Sequence, residues 1–239
     1  AVSAVISGLL VSSIMLFRLA KGSQKLKIRW SACQFSSKLF HDILNVAVPA
    51  SLSPIFTVTT ILSLTAIVGR FGEAALAGYG IGSRVEFLMI PLVFGLGAAM
   101  TSMVGTNVGA GNIERAEKIG WIGSSLAALL SGSVGLILAI FPLAWVPLFT
   151  SDLQTIEAAK MYIQIVGPFF AFQGFGLSLY FASQGAGTML WPIIATIFRV
   201  IVAIAGALYL AFALEYGLQG VYIAAASCMI VFGIIIGIA

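Results

Sequence analysis

Seven long apolar runs alternate with short polar clusters along the chain. The runs cover residues 2–19, 43–68, 74–108, 119–149, 158–183, 189–214 and 221–239. A helix needs about 20 apolar residues to cross a bilayer's hydrocarbon core, so the pattern predicts seven membrane helices. The third and fourth runs exceed that length, which calls for tilt, a kink or extension beyond the bilayer. Pro91 with Gly95 and Gly97 is expected to kink the third, and Pro142 the fourth. The clusters at 70–73, 109–118, 150–157, 184–188 and 215–220 are short, so consecutive helices run antiparallel in a bundle.

Composition turns this pattern into a membrane assignment. Of the 239 residues 60% are hydrophobic and only 8% are charged, whereas a soluble domain carries about 25% charged residues. Such a chain cannot cover its surface in water, and a lipid bilayer is its expected solvent partner. Two cysteines, Cys33 and Cys228, with no CxxC pair, exclude a disulfide framework or a cysteine zinc site as the organising element. The net charge of +4 is modest, and no basic solvated face exists outside one segment, which argues against a nucleic-acid partner. That segment, residues 20–41, holds Lys21, Lys25, Lys27, Arg29 and Lys38 and no acid; the first acid of the chain is Asp42.

By the positive-inside rule, residues 20–41 are cytoplasmic. Alternation then places 109–118, with Arg115 and Lys118, on the same side. It places 150–157 and 215–220, with acids and no Lys or Arg, outside; Arg70 alone goes against the bias. The length and composition of the basic segment also fit a linker between two helical blocks. The expected organisation is a last helix of a first lobe at 1–20, a cytoplasmic linker at 21–41, and a six-helix lobe at 42–239. The chain opens on Ala1 and stops within an apolar run, and is expected to be part of a longer protein. No basic segment precedes the run at 2–19, so a membrane helix is expected there and not a signal peptide. Gly109-Ala110-Gly111 and Gly185-Ala186-Gly187 form a faint internal echo on one side of the membrane.

Three stretches resemble the second half of MATE (multidrug and toxic compound extrusion) transporters. One is Val48-Pro49-Ala50-Ser51-Leu52-Ser53-Pro54, opening a helix just after a basic linker. The most specific begins Gly69-Arg70-Phe71-Gly72-Glu73 and passes through Gly82-Ser83-Arg84-Val85-Glu86. It ends in Val104-Gly105-Thr106-Asn107-Val108-Gly109-Ala110-Gly111-Asn112-Ile113-Glu114-Arg115-Ala116. The third is the Gln184-Gly185-Ala186-Gly187 turn followed by Arg199 within a helix. The resemblance covers essentially the whole chain. It implies an all-α, polytopic membrane protein made of a six-helix C-terminal lobe plus one preceding transmembrane helix, the sixth of the family's twelve. It further implies secondary active multidrug efflux by alternating access: antiport of organic, often cationic, compounds against protons or sodium ions, in the cell (inner or plasma) membrane. The N-terminal lobe would be the chain's main partner. Two departures stand out: Thr106 occupies a position where the family often has Gln, and neither 43–68 nor 158–183 holds the acid that part of the family carries there.

Ionisable side chains inside membrane helices cost about 2.5–3.5 kcal/mol on insertion scales and are functional candidates by default. Glu86, Arg84 and Arg199 qualify. Arg84 and Glu86, two residues apart, point about 200° away from each other on a helix, so the expectation is that Glu86 faces Arg199 or that Arg84 faces a polar group of another helix. Glu86 is read either as a proton or sodium carrier or as half of a structural ion pair. Gln173, Ser53, Thr57, Asn107 and Gln184 are the candidates for a substrate cleft, with capping as the other reading of Asn107 and Gln184. The hydroxyls of Ser51, Ser53, Thr57, Thr59 and Thr60 are expected either to satisfy the backbone freed by Pro49 and Pro54 or to line a cleft. Phe169, Phe170, Phe172 and Phe175 offer an aromatic wall for organic cations or packing filler. Gly78/Gly82, Gly105/Gly109 and Gly233/Gly237 fit small-xxx-small helix contacts.

Enzyme chemistry has no residues to work with. Ser178 within Gly176-Leu177-Ser178-Leu179 lacks a base, because the one histidine, His41, lies ahead of the helices. A single histidine also rules out HExxH, and no GxxxxGK[ST] is present. No metal and no cofactor beyond the coupling ion is expected. Outside drug export, the readings that compete are a related flippase for lipid-linked saccharides and a non-transporting membrane scaffold; only Arg84 and Arg199 are available to meet a pyrophosphate, which favours drug export.

Overall fold

Helix covers nearly every described residue of the computed structural model, which describes residues 2–21 and 36–238. Residues 22–35, most of the expected linker, lie outside them. The chain forms two units, Ala1–Ile43 and Leu44–Ala239.

In the first unit, α1 (Val2–Lys21) exposes Leu9, Val11, Ile14, Met15 and Phe17 around its circumference. A helix apolar all round is suited to lipid and not to water. The second unit holds the rest of α2 (Ser37–Gly69), α3 (Glu73–Gly109), α4 (Ile113–Ile140), α5 (Leu153–Val166), α6 (Phe170–Ala186), α7 (Leu190–Leu208) and α8 (Gly217–Ile238). With α5 and α6 joined in one span, Leu153–Ala186, six helices among the described residues are long and apolar enough to cross a membrane.

Two expected helices break where the sequence has proline. Pro142 ends α4 instead of kinking it, and the chain continues in short 3-10 turns, Pro142–Ala144 and Val146–Leu148. The fifth run is interrupted by a 3-10 turn at Gly167–Phe169 around Pro168, since proline offers no N–H and clashes with the preceding turn. The sixth run ends in a π-helical turn, Tyr209–Ala213. Gly187 stops α6 with φ +77, letting the N–H groups of Gly187 and Thr188 reach the carbonyls of Gln184 and Ser183, a left-handed cap that favours glycine.

Within the second unit the tightest neighbours are α4 with α6, α7 with α8, and α3 with α4, α5 and α6. Helices in lipid gain nothing from hiding apolar surface from water, so close packing through small residues holds them together. Gly78 and Gly82 carry α3 onto α5: a Cβ on Gly78 would stand 2.6 Å from that of Ala158, and one on Gly82 would enter the Tyr162 ring. Gly233 and Gly237 receive Phe172 and Phe175 in the same way, whereas Gly109 meets nothing. Phe170 is buried in the core. Three of the four clustered phenylalanines therefore take part in packing, and two of them, Phe172 and Phe175, also line an open apolar pocket with Trp121.

The hydroxyls of α2 do not rescue the carbonyls its prolines release. Ser51, Thr57, Thr59 and Thr60 donate to the carbonyls of Val48, Ser53, Ile55 and Phe56, whereas Pro54 frees that of Ala50. Tyr180 of α6 supplies the missing donor at 3.2 Å.

Candidate functional site

The glycine face of α3 builds a cavity. Gly78, Gly82 and Glu86 are spaced by four, so they share one stripe of the helix. Because Gly82 admits the ring of Tyr162, that tyrosine's hydroxyl reaches one turn further and donates to Glu86 Oε2 at 3.4 Å. The space beyond is a cavity of about 260 Å³. Its polar lining is Thr57, Thr60 and Thr65 of α2, Tyr79, Ser83 and Glu86 of α3, Tyr162 of α5, Gln173 of α6 and Arg199 of α7. Cys228 and Met229 of α8 close it.

Arg199 is buried, at 7% exposure. Its Nη2 donates to Thr57 Oγ1 at 2.8 Å, and its guanidinium lies 5.0 Å from the centre of the Phe232 ring. Its Nε has no hydrogen-bond partner, nor do Gln173 Oε1 and the Tyr222 hydroxyl, all three buried. Glu86 and Arg199 face one cavity without a direct ion pair; the ion pairs among the described residues are Lys118–Glu114 and Lys160–Glu157, at helix starts. Behind Glu86, the rings of Tyr79, Tyr162 and Tyr222 pack together: Tyr162 stands edge-on to both others, with centres at 5.4 and 5.2 Å.

Of the sequence candidates, Glu86, Arg199, Thr57 and Gln173 meet at this cavity. Arg84 does not: it is exposed on the opposite side of α3, its guanidinium 4.9 Å from the centre of the Phe149 ring. Ser53 lies one turn from Thr57 and accepts its hydroxyl proton at the backbone. Asn107, near the end of α3, donates from Nδ2 to the Met103 carbonyl one turn back at 2.8 Å, and Gln184 sits in the last turn of α6. Neither lines this cavity. The tyrosines were not among the candidates, although their polar tips within apolar runs need a partner once buried.

The MatE family model matches residues 49–209 of the chain. The chain belongs to the MatE family. That family is one of membrane transporters and not of enzymes. A probable multidrug resistance protein NorM of Thermotoga maritima is 34% identical over 162 residues, covering 66% of this chain and 34% of that protein. An FAD transporter of Shewanella oneidensis is 25% identical over 158 residues, 66% of this chain and 33% of that one. Among solved structures, a MOP-superfamily transporter of Pyrococcus furiosus superposes with a TM-score of 0.90 at 24% identity, over 98% of this chain and 53% of that one. An outward-facing MATE transporter does so with a TM-score of 0.88 at 23% identity, over 96% and 52%. The structural likeness establishes the fold: half of a MATE transporter, multi-pass in a membrane. The chain spans about a third of the length of the curated relatives it matches.

Proposed function

We propose that this chain forms the C-terminal lobe of a multidrug exporter of the cell membrane, and that its internal cavity is where ion movement couples to export. The exporter moves organic, often cationic, compounds outward by alternating access, in exchange for ions entering down their gradient. The partner implied is an N-terminal lobe that closes the other side of a central cleft. Membership of the MatE family and the NorM relative support the transport class. The observation that carries the coupling role is the relation of Glu86 to Arg199.

A carboxylate locked in a direct ion pair stays ionised and is a poor carrier, because a close positive charge favours the charged form. Glu86 shares a cavity with Arg199 but is not clamped by it. It is hydrogen-bonded by the Tyr162 hydroxyl, a group that donates to a carboxylate and accepts from a carboxylic acid equally well. Glu86 therefore has partners for both of its protonation states. Arg199 and Thr57 tie α7 to α2 beside it, so a change of charge on Glu86 acts on a contact between two helices.

The test is efflux from vesicles carrying the transporter that contains this lobe, under an imposed proton or sodium gradient, with Glu86→Gln alongside. Loss of gradient-driven efflux in a variant that still inserts and binds substrate is the expected outcome. Full efflux by Glu86→Gln overturns the coupling role, and no efflux of any organic cation by the unaltered transporter points to a lipid-linked saccharide flippase.

A further inference from the structure

On another face of the lobe, α4, α6 and α8 enclose a further, open cavity of about 440 Å³. Its walls are apolar, with Trp121 and Ala128 from α4, Phe172 and Phe175 from α6, and Ile234 and Ile238 from α8. Around α6, Phe172 and Phe175 stand about 100° and 200° from Gln173, which lines the cavity of Glu86. No residue of α4 lines that first cavity. We propose that the open groove holds an acyl chain of a membrane phospholipid, and that the start of α4 selects a headgroup carrying a primary ammonium, as in phosphatidylethanolamine. The inference does not depend on the coupling role of Glu86.

Small residues shape the groove. A Cβ on Gly233 would stand 3.0 Å from the Phe172 carbonyl oxygen, and one on Gly237 3.0 Å from the Phe175 ring. Here α8 lies close against α6, and the wall they form is flat enough to face α4 across open space. The Trp121 and Phe175 rings stand with their centres 6.0 Å apart. Ala128 lies two turns further along α4, about 10 Å deeper, and its methyl leaves room beside the rings. An elongated hollow without polar walls, open at the surface of a membrane lobe, offers water no hydrogen bond and suits a hydrocarbon chain lying along α4.

The charges of α4 place the headgroup. Residues 119–140 are uncharged and span about 33 Å as helix, enough to fill a hydrocarbon core of about 30 Å. The core boundary therefore falls near Ile119. Trp121 stands just inside it, at the level where indole rings concentrate. Glu114, Arg115, Glu117 and Lys118, all exposed, stand at headgroup level on the side that the charge bias makes cytoplasmic. Glu114, Glu117 and Lys118 precede Trp121 by seven, four and three residues and share its stripe of the helix, whereas Arg115 lies about 120° off it.

That stripe carries two carboxylates and one ammonium. Lys118 donates to Glu114 at 2.6 Å, which leaves it two N–H groups for a phosphate. Glu117 has no ion-pair partner among the described residues. A phosphodiester followed by a primary ammonium meets both needs at once. An anionic headgroup such as that of phosphatidylglycerol adds charge to a face that is already negative. The trimethylammonium of phosphatidylcholine has no N–H to give Glu117.

The experiment uses the full-length transporter that contains this lobe, purified in detergent and stripped of lipid. Its melting temperature is followed against added phosphatidylethanolamine, phosphatidylglycerol or phosphatidylcholine with identical acyl chains. Phosphatidylethanolamine is expected to stabilise with a half-effect concentration roughly tenfold below either of the others, the worth of one hydrogen bond to a charged group. Glu117→Gln should bring the three lipids level, and Ala128→Phe, which fills the groove, should weaken all three. Should Ala128→Phe fail to fold, Ile234→Trp fills the groove from an exposed position of α8. An equal response of the unaltered transporter to the three lipids overturns the proposal, as does a preference for phosphatidylglycerol or a preference that survives Glu117→Gln. Undiminished stabilisation in a folded groove-filling variant removes the acyl chain from the groove. So does the absence of any lipid response, the outcome expected if another part of the transporter covers this face.

Discussion

At the scale of single residues, the bond between Tyr180 and Ala50 shows how a proline is tolerated inside a membrane helix. Pro54 lacks the N–H that would have met the Ala50 carbonyl four residues earlier, and lipid offers no water to replace it. The Tyr180 hydroxyl does so at 3.2 Å, from another helix. Tyr180→Phe is expected to lower stability by about 0.6 kcal/mol, the usual size of such bonds in membrane bundles. In a Pro54→Ala background the restored N–H takes the carbonyl, so the same change should cost less. A double-mutant cycle read by denaturant unfolding in micelles checks this; an equal cost in both backgrounds would remove Tyr180 from the account of the proline. The need for a donor was legible in Pro54. Its source was not, because nothing in one linear chain says that position 180 comes to face position 50. The same limit applies to Glu86: its spacing from Arg84 placed the two on opposite faces, but Tyr162 as its partner depends on which helix Gly82 admits.

At the scale of helices, the α3–α5 contact is set by what glycine leaves out. A side chain at Gly82 must enter the volume of the Tyr162 ring, and overpacking of that kind costs typically 1–3 kcal/mol. Gly82→Leu should therefore destabilise the lobe and separate Tyr162 from Glu86. Gly109→Leu, at the end of α3 with no atoms in the way, should stay within about 0.5 kcal/mol of the unaltered protein. Melting temperatures of the two variants test the contrast, and equal losses would refute it. Both glycines belong to small-xxx-small patterns in the sequence, and the pattern alone does not separate the one that packs from the one that does not. The start of α5 offers a second test. The Asp152 carboxylate accepts from the Thr155 N–H at 2.8 Å and the Thr155 hydroxyl at 2.6 Å, and these bonds hold its pKa below the usual carboxylate range. A lowered pKa means that the cap stabilises above the unfolded-state value and is lost as pH falls through the folded one. Asp152→Asn should keep an acceptor but flatten the fall of melting temperature in acid, while Asp152→Ala should lose stability at neutral pH. An unchanged acid profile in Asp152→Asn would show that the cap does not titrate.

At the scale of the whole molecule, six antiparallel spans put every second turn on the same side of the bilayer. The turn between α3 and α4, followed by Arg115 and Lys118, and the turn at Gly187 fall on one side. The turns before α3, α5 and α8, with Glu73, Asp152 and Glu215, fall on the other. This order was legible in the sequence because run length and charge bias are local quantities. The cavity was not, since it depends on neighbours supplied by distant parts of the chain; proline marked the break at Pro142, but not that the helix would end there instead of kinking. The charge asymmetry predicts an orientation for the whole lobe, because Lys and Arg near helix ends favour the cytoplasmic side. In a background with Cys33 and Cys228 replaced by serine, a cysteine at Asn112 should react with a membrane-impermeant maleimide in inverted vesicles and not in intact cells. A cysteine at Ser151, just ahead of α5, should do the reverse. The two positions flank α4, so labelling of both from one side would contradict a single crossing there. A clean reversal of both patterns would keep the bundle and turn it over, placing the acidic turns inside and removing the basis for the orientation of export.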